Sequence, residues 1–448
     1  MNAVAAEKIQ DFLEAGIPEV FERDLDLGEA AEPARGNLAT VVTGVRRCGK
    51  TFRLYQEMHR IVATGHPLES ILYFNFEDER LKPYSPALLA EVLDTFYAMR
   101  PQAKREGAFL FFDEIQEVPE WGAFLRRVVD SERATVYVTG SSSKMLSASL
   151  ASEFRGRAIS RELFPMSFSE FVRYRGAGEV GGGALGSAAK ARLRHELAPY
   201  LERGGFIAVQ GLSAPDAVQL LQEYANRTVG LDVVERYGVR NPVAASRFLS
   251  RCLASSGREL SVNKVAGELK SAGLAVSRAT LSSLLEYYEE AYLLFSVGEL
   301  SRSLSANPRS ASKVYAVDPG MLAAFSPAPA RDDGQRLETA VFARLRRQAG
   351  GLRAGAVSRL LIADESGGRR EVDFAVGDAL LGRGVELVQA TVSMEDERTR
   401  RRELSGLSAG MRALGAAEGW VVTMDEEEDV EVDGGVVHVV PAWRWLLG

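Results

Sequence analysis

One octapeptide narrows what this chain can fold into. Gly44-Val45-Arg46-Arg47-Cys48-Gly49-Lys50-Thr51 fits G-x-x-x-x-G-K-[ST] at every fixed position. Before it stands LATVVTG (38–44), a short β-branched run that reads as a buried strand. After it, Thr51 to about Ala63 reads as a helix. Gly44 and Gly49 let the backbone fold tightly around an anion, with the N–H groups turned inward and the positive end of a helix dipole behind them. On this reading Gly44, Val45, Arg46, Arg47, Cys48, Gly49, Lys50, Thr51 and Phe52 cradle a nucleoside triphosphate. Lys50 brings a charge to the β- and γ-phosphates, and Thr51 offers its hydroxyl to Mg²⁺.

A second pattern belongs with the first. Phe109-Leu110-Phe111-Phe112 runs into Asp113-Glu114, which sets Asp113 at the carboxyl end of a buried strand. Open α/β sheets bind their ligands there. Asp113 is expected to hold Mg²⁺, and Glu114 to polarise an attacking water. SILYFNF (70–76) and TVYVTGS (135–141) read as further strands, with a helix around Trp121–Val129. Such alternation implies a parallel α/β sheet with right-handed crossovers. Ser141 and Ser142 follow the last strand, where a hydroxyl reaches the γ-phosphate or its water; turn or cap chemistry explains serines there equally well. Arg157, in Arg155-Gly156-Arg157, is a candidate arginine finger, from the same chain or a neighbour. Cys48 lies beside Arg47, Lys50 and a helix start, surroundings expected to favour thiolate and so to expose the loop to oxidation; an inert loop residue is the alternative.

The chain has 448 residues, enough for about three domains. Its formal net charge of -7 excludes an overall basic footprint, so any nucleic-acid contact must come from a local patch. Two cysteines in so long a chain fit a reducing compartment. With no apolar run long enough to span a bilayer and no signal-peptide pattern at the start, a cytoplasmic protein without membrane contact is expected. Four scattered histidines give no zinc-ligand spacing.

Residues 1–35 read as a helix and a charged connector, 176–187 as a Gly-rich loop, and 188–300 as mainly helical. KVYAVDPGMLAAF (313–325) reads as strand, turn and helix, and 327–334 as a linker. Then come an amphipathic helix (337–348), a hairpin (359–376), a strand (385–392), and a closing pair (419–425 and 436–447) around an acidic turn, Asp425–Asp429.

In order, LATVVTGVRRCGKTF, YFNFEDERL, FLFFDEIQEVPEW, VYVTGSSSKML and EFRGRAISRELFPMSFSEF resemble a family of prokaryotic AAA-superfamily ATPases described as ATP-binding proteins. YLERGGFIAV, VVERYGVRN, KVYAVDPGML, LETAVFARL, EVDFAV and VVPAWRWLL carry the resemblance to the end of the chain. The resemblance implies an α/β fold with a P-loop NTPase parallel sheet of the ASCE type over 1–175. It further implies a helical lid over 176–250, a winged-helix module over 251–328, and a restriction-endonuclease-like α/β domain over 329–448. It gives Lys50 and Thr51 to phosphate and Mg²⁺, Asp113 and Glu114 to Walker B, and a serine at 141–142 to sensor 1.

Within 261–294 two amphipathic helices meet at a turn containing Gly273. Ser277, Arg278, Thr280 and Ser282 open the second helix, the end that faces DNA in a helix-turn-helix, and Lys264, Lys270 and Arg278 are placed to touch phosphates. Glu286, Glu289 and Glu290 oppose this if they share the face; a structural lid or a protein-binding winged helix is the alternative. The endonuclease expectation meets an obstacle. Its candidates are Glu338, Glu371, Asp373, Glu386 and Gln389, but Glu386 and Gln389 are three apart, so a regular strand sends them to opposite faces. No lysine stands nearby in VELVQATV or EVDFAV. A degenerate domain kept for DNA or protein binding is therefore expected.

These readings describe an ATPase with ATP and Mg²⁺ as cofactors, catalytic Lys50, Glu114 and Arg157, and double-stranded DNA, a protein partner or a second copy of the chain as partners. A slowly hydrolysing nucleotide-gated switch and an ATP-dependent nuclease are the alternatives.

Overall fold

The computed structural model describes residues 2–140, 156–177, 185–300, 312–326, 332–349, 356–363, 369–378 and 383–448. The chain divides into two compact units, Met1–Leu163 and Phe164–Gly448. The division falls before residue 175, where the sequence suggested it. The reason is a short helix, Phe168–Tyr174, whose Phe168 and Phe171 rings each lie 5.4 Å from the ring of Tyr200 in the second unit.

In the first unit β1 (Ala39–Thr43), β2 (Ile71–Asn75), β3 (Ala108–Asp113), β4 (Ala134–Gly140) and β5 (Ala158–Glu162) form one sheet in the order β2-β3-β4-β1-β5. Every pairing is parallel. All residues of β3 and β4 are buried, as apolar runs like AFLFF require when helices cover both faces of a sheet. β4 separates the phosphate-loop strand β1 from the acid-bearing strand β3, the strand order of the ASCE type of P-loop NTPase. β5 is absent from the strands expected from sequence. Its residues are mostly half-exposed, so it lacks an apolar run, and its backbone pairing with β1 makes it a strand.

Helices α1 (Ala3–Ala15), α2 (Lys50–Ala63), α3 (Leu88–Met99), α4 (Pro101–Glu106) and α5 (Trp121–Ser131) belong to this unit. Leu72, Phe74, Leu110, Phe112, Val136 and Val138 pack against Val92, Phe96, Leu125 and Val128. Each such side chain contributes roughly 1.5–3 kcal/mol by leaving water. This core fixes the strand ends on which the polar residues stand.

The second unit opens with helices: α6 (Phe168–Tyr174), α7 (Ser187–Arg203), α8 (Ala214–Thr228) and α9 (Pro242–Leu253). Then β6 (Arg258–Glu259), α10 (Val262–Ser271), α11 (Arg278–Glu290), β7 (Leu294–Val297) and β8 (Lys313–Ala316) follow, with the strands antiparallel in the order β6-β8-β7. Fully buried Asp318 caps the short α12 (Pro319–Phe325) and accepts the Gly205 N–H.

After α13 (Asp333–Gln348) comes a six-stranded mixed sheet in the order β13-β14-β12-β11-β10-β9. Its members are β9 (Val357–Ala363), β10 (Arg369–Asp378), β11 (Arg383–Ala390), β12 (Glu418–Thr423), β13 (Glu428–Val432) and β14 (Gly435–Pro441). Helix α14 (Glu397–Leu414) covers one face through Leu407 and Met411, and α15 (Ala442–Trp445) ends the chain. The acidic stretch 425–429 is only partly a turn. Glu428 and Asp429 begin β13, and Glu427, Glu428 and Asp429 pair with Arg444, Arg400 and His438.

Candidate nucleotide site and a second acid cluster

The loop after β1 is shaped by its two glycines. Gly44 has φ 149°, and a Cβ there would stand 2.0 Å from the Leu163 carbonyl oxygen, so only glycine lets β1 and the chain after β5 close together. Gly49 has φ 102° and turns the chain into α2. Between them Arg47 also sits at positive φ, 68°, and its side chain is exposed.

Lys50 is 5% exposed. Its ammonium donates to the carbonyls of Gly44 (3.1 Å) and Val45 (3.3 Å) and stands 3.9 Å from a Glu114 oxygen. A buried charge must be satisfied, and here the loop's own carbonyls do it. Arg46 lies 3.8 Å from Glu77. Phe52 is 53% exposed, with its ring 5.9 Å from that of Tyr55.

Asp113 is fully buried at the end of β3. Its Oδ2 accepts hydrogen bonds from Thr51 Oγ1 (2.8 Å), Tyr73 OH (3.0 Å) and Asn75 Nδ2 (2.8 Å), and its Oδ1 accepts one from Thr139 Oγ1. Burial raises its pKa, the charge of Glu114 adds to the rise, and the hydroxyl donors oppose it. Glu114 follows at φ 53°; its N–H donates to Thr139 Oγ1 and its carboxylate accepts from Gln116. Thr51 and Asp113, distant in sequence, thus converge on one point with Lys50 and Glu114 beside it. A hydroxyl and a carboxylate oxygen are the protein ligands that Mg²⁺ takes when phosphates and waters complete its shell.

Tyr73 and Asn75 were not singled out from sequence. They stand two apart on β2 and so share one face. That spacing is legible in YFN, but nothing in it says which acid they meet. Ser141, Ser142 and Arg155 lie outside the described residues. Arg157 pairs through its Nε with Asp130 (2.7 Å), an exposed contact on α5 and not a contact with the phosphate loop. Cys48 overturns the thiolate expectation. It is 3% exposed, and burial pushes its thiol up; Lys50 and Arg23 pull the other way and are outweighed.

The carboxylates of the second unit gather around a cation that the sequence reading missed. Lys313, on β8, reaches Asp373 (2.9 Å), Glu371 (2.9 Å) and Glu338 (3.1 Å) with its ammonium. It donates hydrogen bonds to Asp373 and Glu338, while Glu371 Oε1 stands within ion-pair distance without making one. Tyr315 donates to Glu338 (2.7 Å), and Asp373 Oδ2 accepts from the Ala390 N–H. Burial opposes the charge of Lys313, but the three acids outweigh it and raise its pKa. Glu338 is pushed up to about 8, by burial first and then by Asp373. Gln389 accepts from the Asp373 N–H and donates to Glu403, whereas Glu386 lies by Arg344.

VELVQATV and EVDFAV hold no lysine, as read from the sequence; the lysine that meets these acids, Lys313, comes from β8, earlier in the chain. Among the described residues no group of three or more His, Cys, Asp or Glu side chains is arranged to hold a metal ion. The Mg²⁺ expected of an endonuclease-like fold does not fit, because the ammonium occupies the point where the carboxylates meet.

On the expected DNA-facing helices, Lys264, Lys270, Arg278, Thr280 and Ser282 are all exposed. Ser277 caps α11 through the Thr280 N–H. Glu290 turns to the Tyr237 hydroxyl and Glu289 is bonded to Ser296, leaving Glu286 exposed. No helix among the described residues is long and apolar enough to cross a membrane.

Residues 36–172 match the AAA domain family, and residues 194–332 match a domain of unknown function, DUF8612. An uncharacterized protein of Methanocaldococcus jannaschii is 30% identical over 98% of this chain and 94% of its own length. An uncharacterized protein of Haemophilus influenzae is 24% identical over 91% of this chain and 94% of its own. Among solved structures, the Walker-type ATPase of Pyrococcus abyssi superposes with a TM-score of 0.41 at 15% identity, over 72% of this chain and 95% of that one. AMPPCP-bound DnaA from Aquifex aeolicus gives 0.25 at 14%, over 64% and 88%. The chain thus belongs to the family of its archaeal relative, and its first unit is an AAA domain on the parallel sheet of a P-loop ATPase.

Proposed function

We propose that this protein is a Mg²⁺-dependent ATPase whose nucleotide state sets the binding of DNA, or of a protein partner, by its second unit. The observation that carries the ATPase reading is the 2.8 Å contact between Thr51 Oγ1 and Asp113 Oδ2. It joins the two motifs at one point beside a buried lysine.

On this reading the triphosphate displaces Gly44 and Val45 as partners of Lys50, whose charge then offsets that developing on the β–γ bridge. Thr51 and Asp113 would hold Mg²⁺, which supplies charge neutralisation at the β- and γ-oxygens. Glu114 accepts a hydrogen bond from water and aligns its oxygen with the γ-phosphorus. The new P–O bond forms as the β–γ bridge breaks, releasing ADP and phosphate. Tyr73 and Asn75 keep the Asp113 carboxylate oriented. Arg157 acts as a finger only if it leaves Asp130 or serves a neighbouring copy. Ser141 and Ser142 are the proposed sensors of the γ-phosphate.

The partner half rests on the exposure of Lys264, Lys270, Arg278, Thr280 and Ser282, while Glu289 and Glu290 are bonded to Ser296 and Tyr237 and Glu286 stays exposed. The test has two arms. Lys50→Ala should abolish ATP binding, and Glu114→Gln should trap bound ATP; undiminished turnover in both refutes the site. Fluorescence anisotropy with duplex DNA, with and without ATP, should show binding that weakens uniformly across sequences in a Lys264→Ala, Lys270→Ala, Arg278→Ala variant. DNA binding unaffected by that variant refutes the interface.

A further inference from the structure

Residues 16–32 form no helix or strand, yet part of this segment is bound along α2. Gln56 receives the Arg23 N–H (3.0 Å) and donates to the Arg23 carbonyl (3.1 Å). Arg53 donates to the Leu25 carbonyl (2.9 Å), and Arg60 to the Gly28 carbonyl. His59 contacts the Pro18 carbonyl at 2.9 Å. Residues 53, 56 and 60 are spaced i, i+3, i+7, so one side of the helix holds the strap. Most of these bonds go to main-chain carbonyls, which is why the strap's sequence gives no hint of them.

The strap delivers one side chain to the phosphate loop. Arg23 is 5% exposed, and its Nη1 donates to the Cys48 carbonyl at 2.8 Å. A Cβ on Gly49 would come within 3.3 Å of the same nitrogen, so the guanidinium rests on the loop's last glycine. The Cys48 carbonyl and the Gly49 N–H belong to one planar trans peptide, in which they point opposite ways. With the carbonyl tied to Arg23 on one side, the Gly49 N–H is directed to the other. The positive φ of Gly49 otherwise leaves this peptide free to flip.

We infer that Arg23 is a positioning residue of the nucleotide site. It locks the 48–49 peptide so that its N–H serves the phosphates, and it adds a second buried cation to Lys50. The inference rests on the ATP-binding reading above. It predicts a role in holding phosphate, in ground state and transition state alike, and so a KM effect more than a kcat effect.

The experiment is steady-state ATP hydrolysis and calorimetric ADP binding for wild type, Arg23→Lys and Arg23→Met, with melting temperature recorded for each. Arg23→Met should raise KM for ATP and Kd for ADP at least about tenfold while kcat stays within about threefold. Arg23→Lys, which keeps charge but loses the fork, should fall between. Reduced kcat at unchanged KM would mean fewer folded molecules and would overturn the inference. So would ADP affinity equal to wild type in Arg23→Lys, should Arg23→Met fail to fold. Wild type binding neither ATP nor ADP would instead sink the underlying reading.

Discussion

Asp113 and Asp373 are both buried carboxylates on a strand; the sequence marked the first as a Mg²⁺ ligand and the second as a member of an incomplete endonuclease constellation. Their surroundings differ in kind. Asp113 is held by neutral groups, two threonine hydroxyls, a tyrosine and an amide, while Lys50 turns to main-chain carbonyls. Asp373 is held by a cation that it shares with Glu338 and Glu371. Neutral donors can yield to a metal ion at the cost of hydrogen bonds alone. An ammonium bridging three acids must first be expelled, leaving a carboxylate cluster without charge compensation. Acid content is similar in the two places; the donor set separates a site open to a cation from one that already contains its own.

The largest effect that can break this contrast is on catalysis. Asp113→Asn should lower ATP turnover by at least about a hundredfold, which is about 2.7 kcal/mol in barrier at 1.36 per tenfold. Its stability should not fall. The carboxylate's pKa is raised by burial, so its charge costs stability above the ordinary carboxylate range, and the neutral amide removes that cost. Melting temperature at or above wild type together with lost activity is the expected pair of results. A strongly destabilised variant would make Asp113 a structural anchor like Asp373.

Lys313→Met is the counterpart. Removing one partner of a buried ion cluster typically costs about 3–5 kcal/mol, and urea unfolding of the second unit should show it. The vacated point then lies among Glu338, Glu371 and Asp373, so millimolar Mn²⁺ should restore part of the loss to the variant and nothing to wild type. Equal stabilisation of wild type by Mn²⁺, abolished by Asp373→Asn, would show that the cluster takes metal with its lysine in place.

A smaller effect is a pH dependence with a definite sign. Glu338 has a folded pKa of about 8, against an ordinary value of 4.5. Between these values the folded state holds a proton that the unfolded state has released. Stability from this group is therefore complete below 4.5 and lost as pH rises through 8. Asp373, Lys313, Tyr315 and Glu371 face it and set the slope. Glu338→Gln should flatten the decline in unfolding free energy between pH 5 and pH 9, a change of a few kcal/mol at the alkaline end. An unchanged slope would place the titration elsewhere.

What could be read in the sequence follows the distance over which each group acts. The phosphate loop and Asp113-Glu114 are contiguous motifs on strands with strong apolar runs, so both fold and chemistry showed there. β5 has no apolar run and exists through its pairing with β1. Tyr73 and Asn75 share a face by strand alternation, but their target lies on the neighbouring strand. Lys313 meets Asp373 across 60 residues, and no local pattern marks that meeting. Arg23 acts on a carbonyl, an atom that every residue possesses.

The smallest expected effect is a null, and it tests which force governs a buried ionisable group. Cys48 has Lys50 and Arg23 near it, much as Lys313 has its acids, yet the outcome is reversed. Three carboxylates in direct contact overcome the burial of Lys313. Two cations that donate to main-chain carbonyls of the loop do not overcome the burial of Cys48, which raises its thiol pKa. Peroxide reacts with thiolate, so wild type and Cys48→Ser should lose ATPase activity at the same rate, and iodoacetamide should label Cys48 no faster than a buried thiol. Rapid labelling, or protection by the serine, would mean that the loop opens often enough for charge to win, and the phosphate site would then be far less rigid than the bonds of Lys50 and Arg23 indicate.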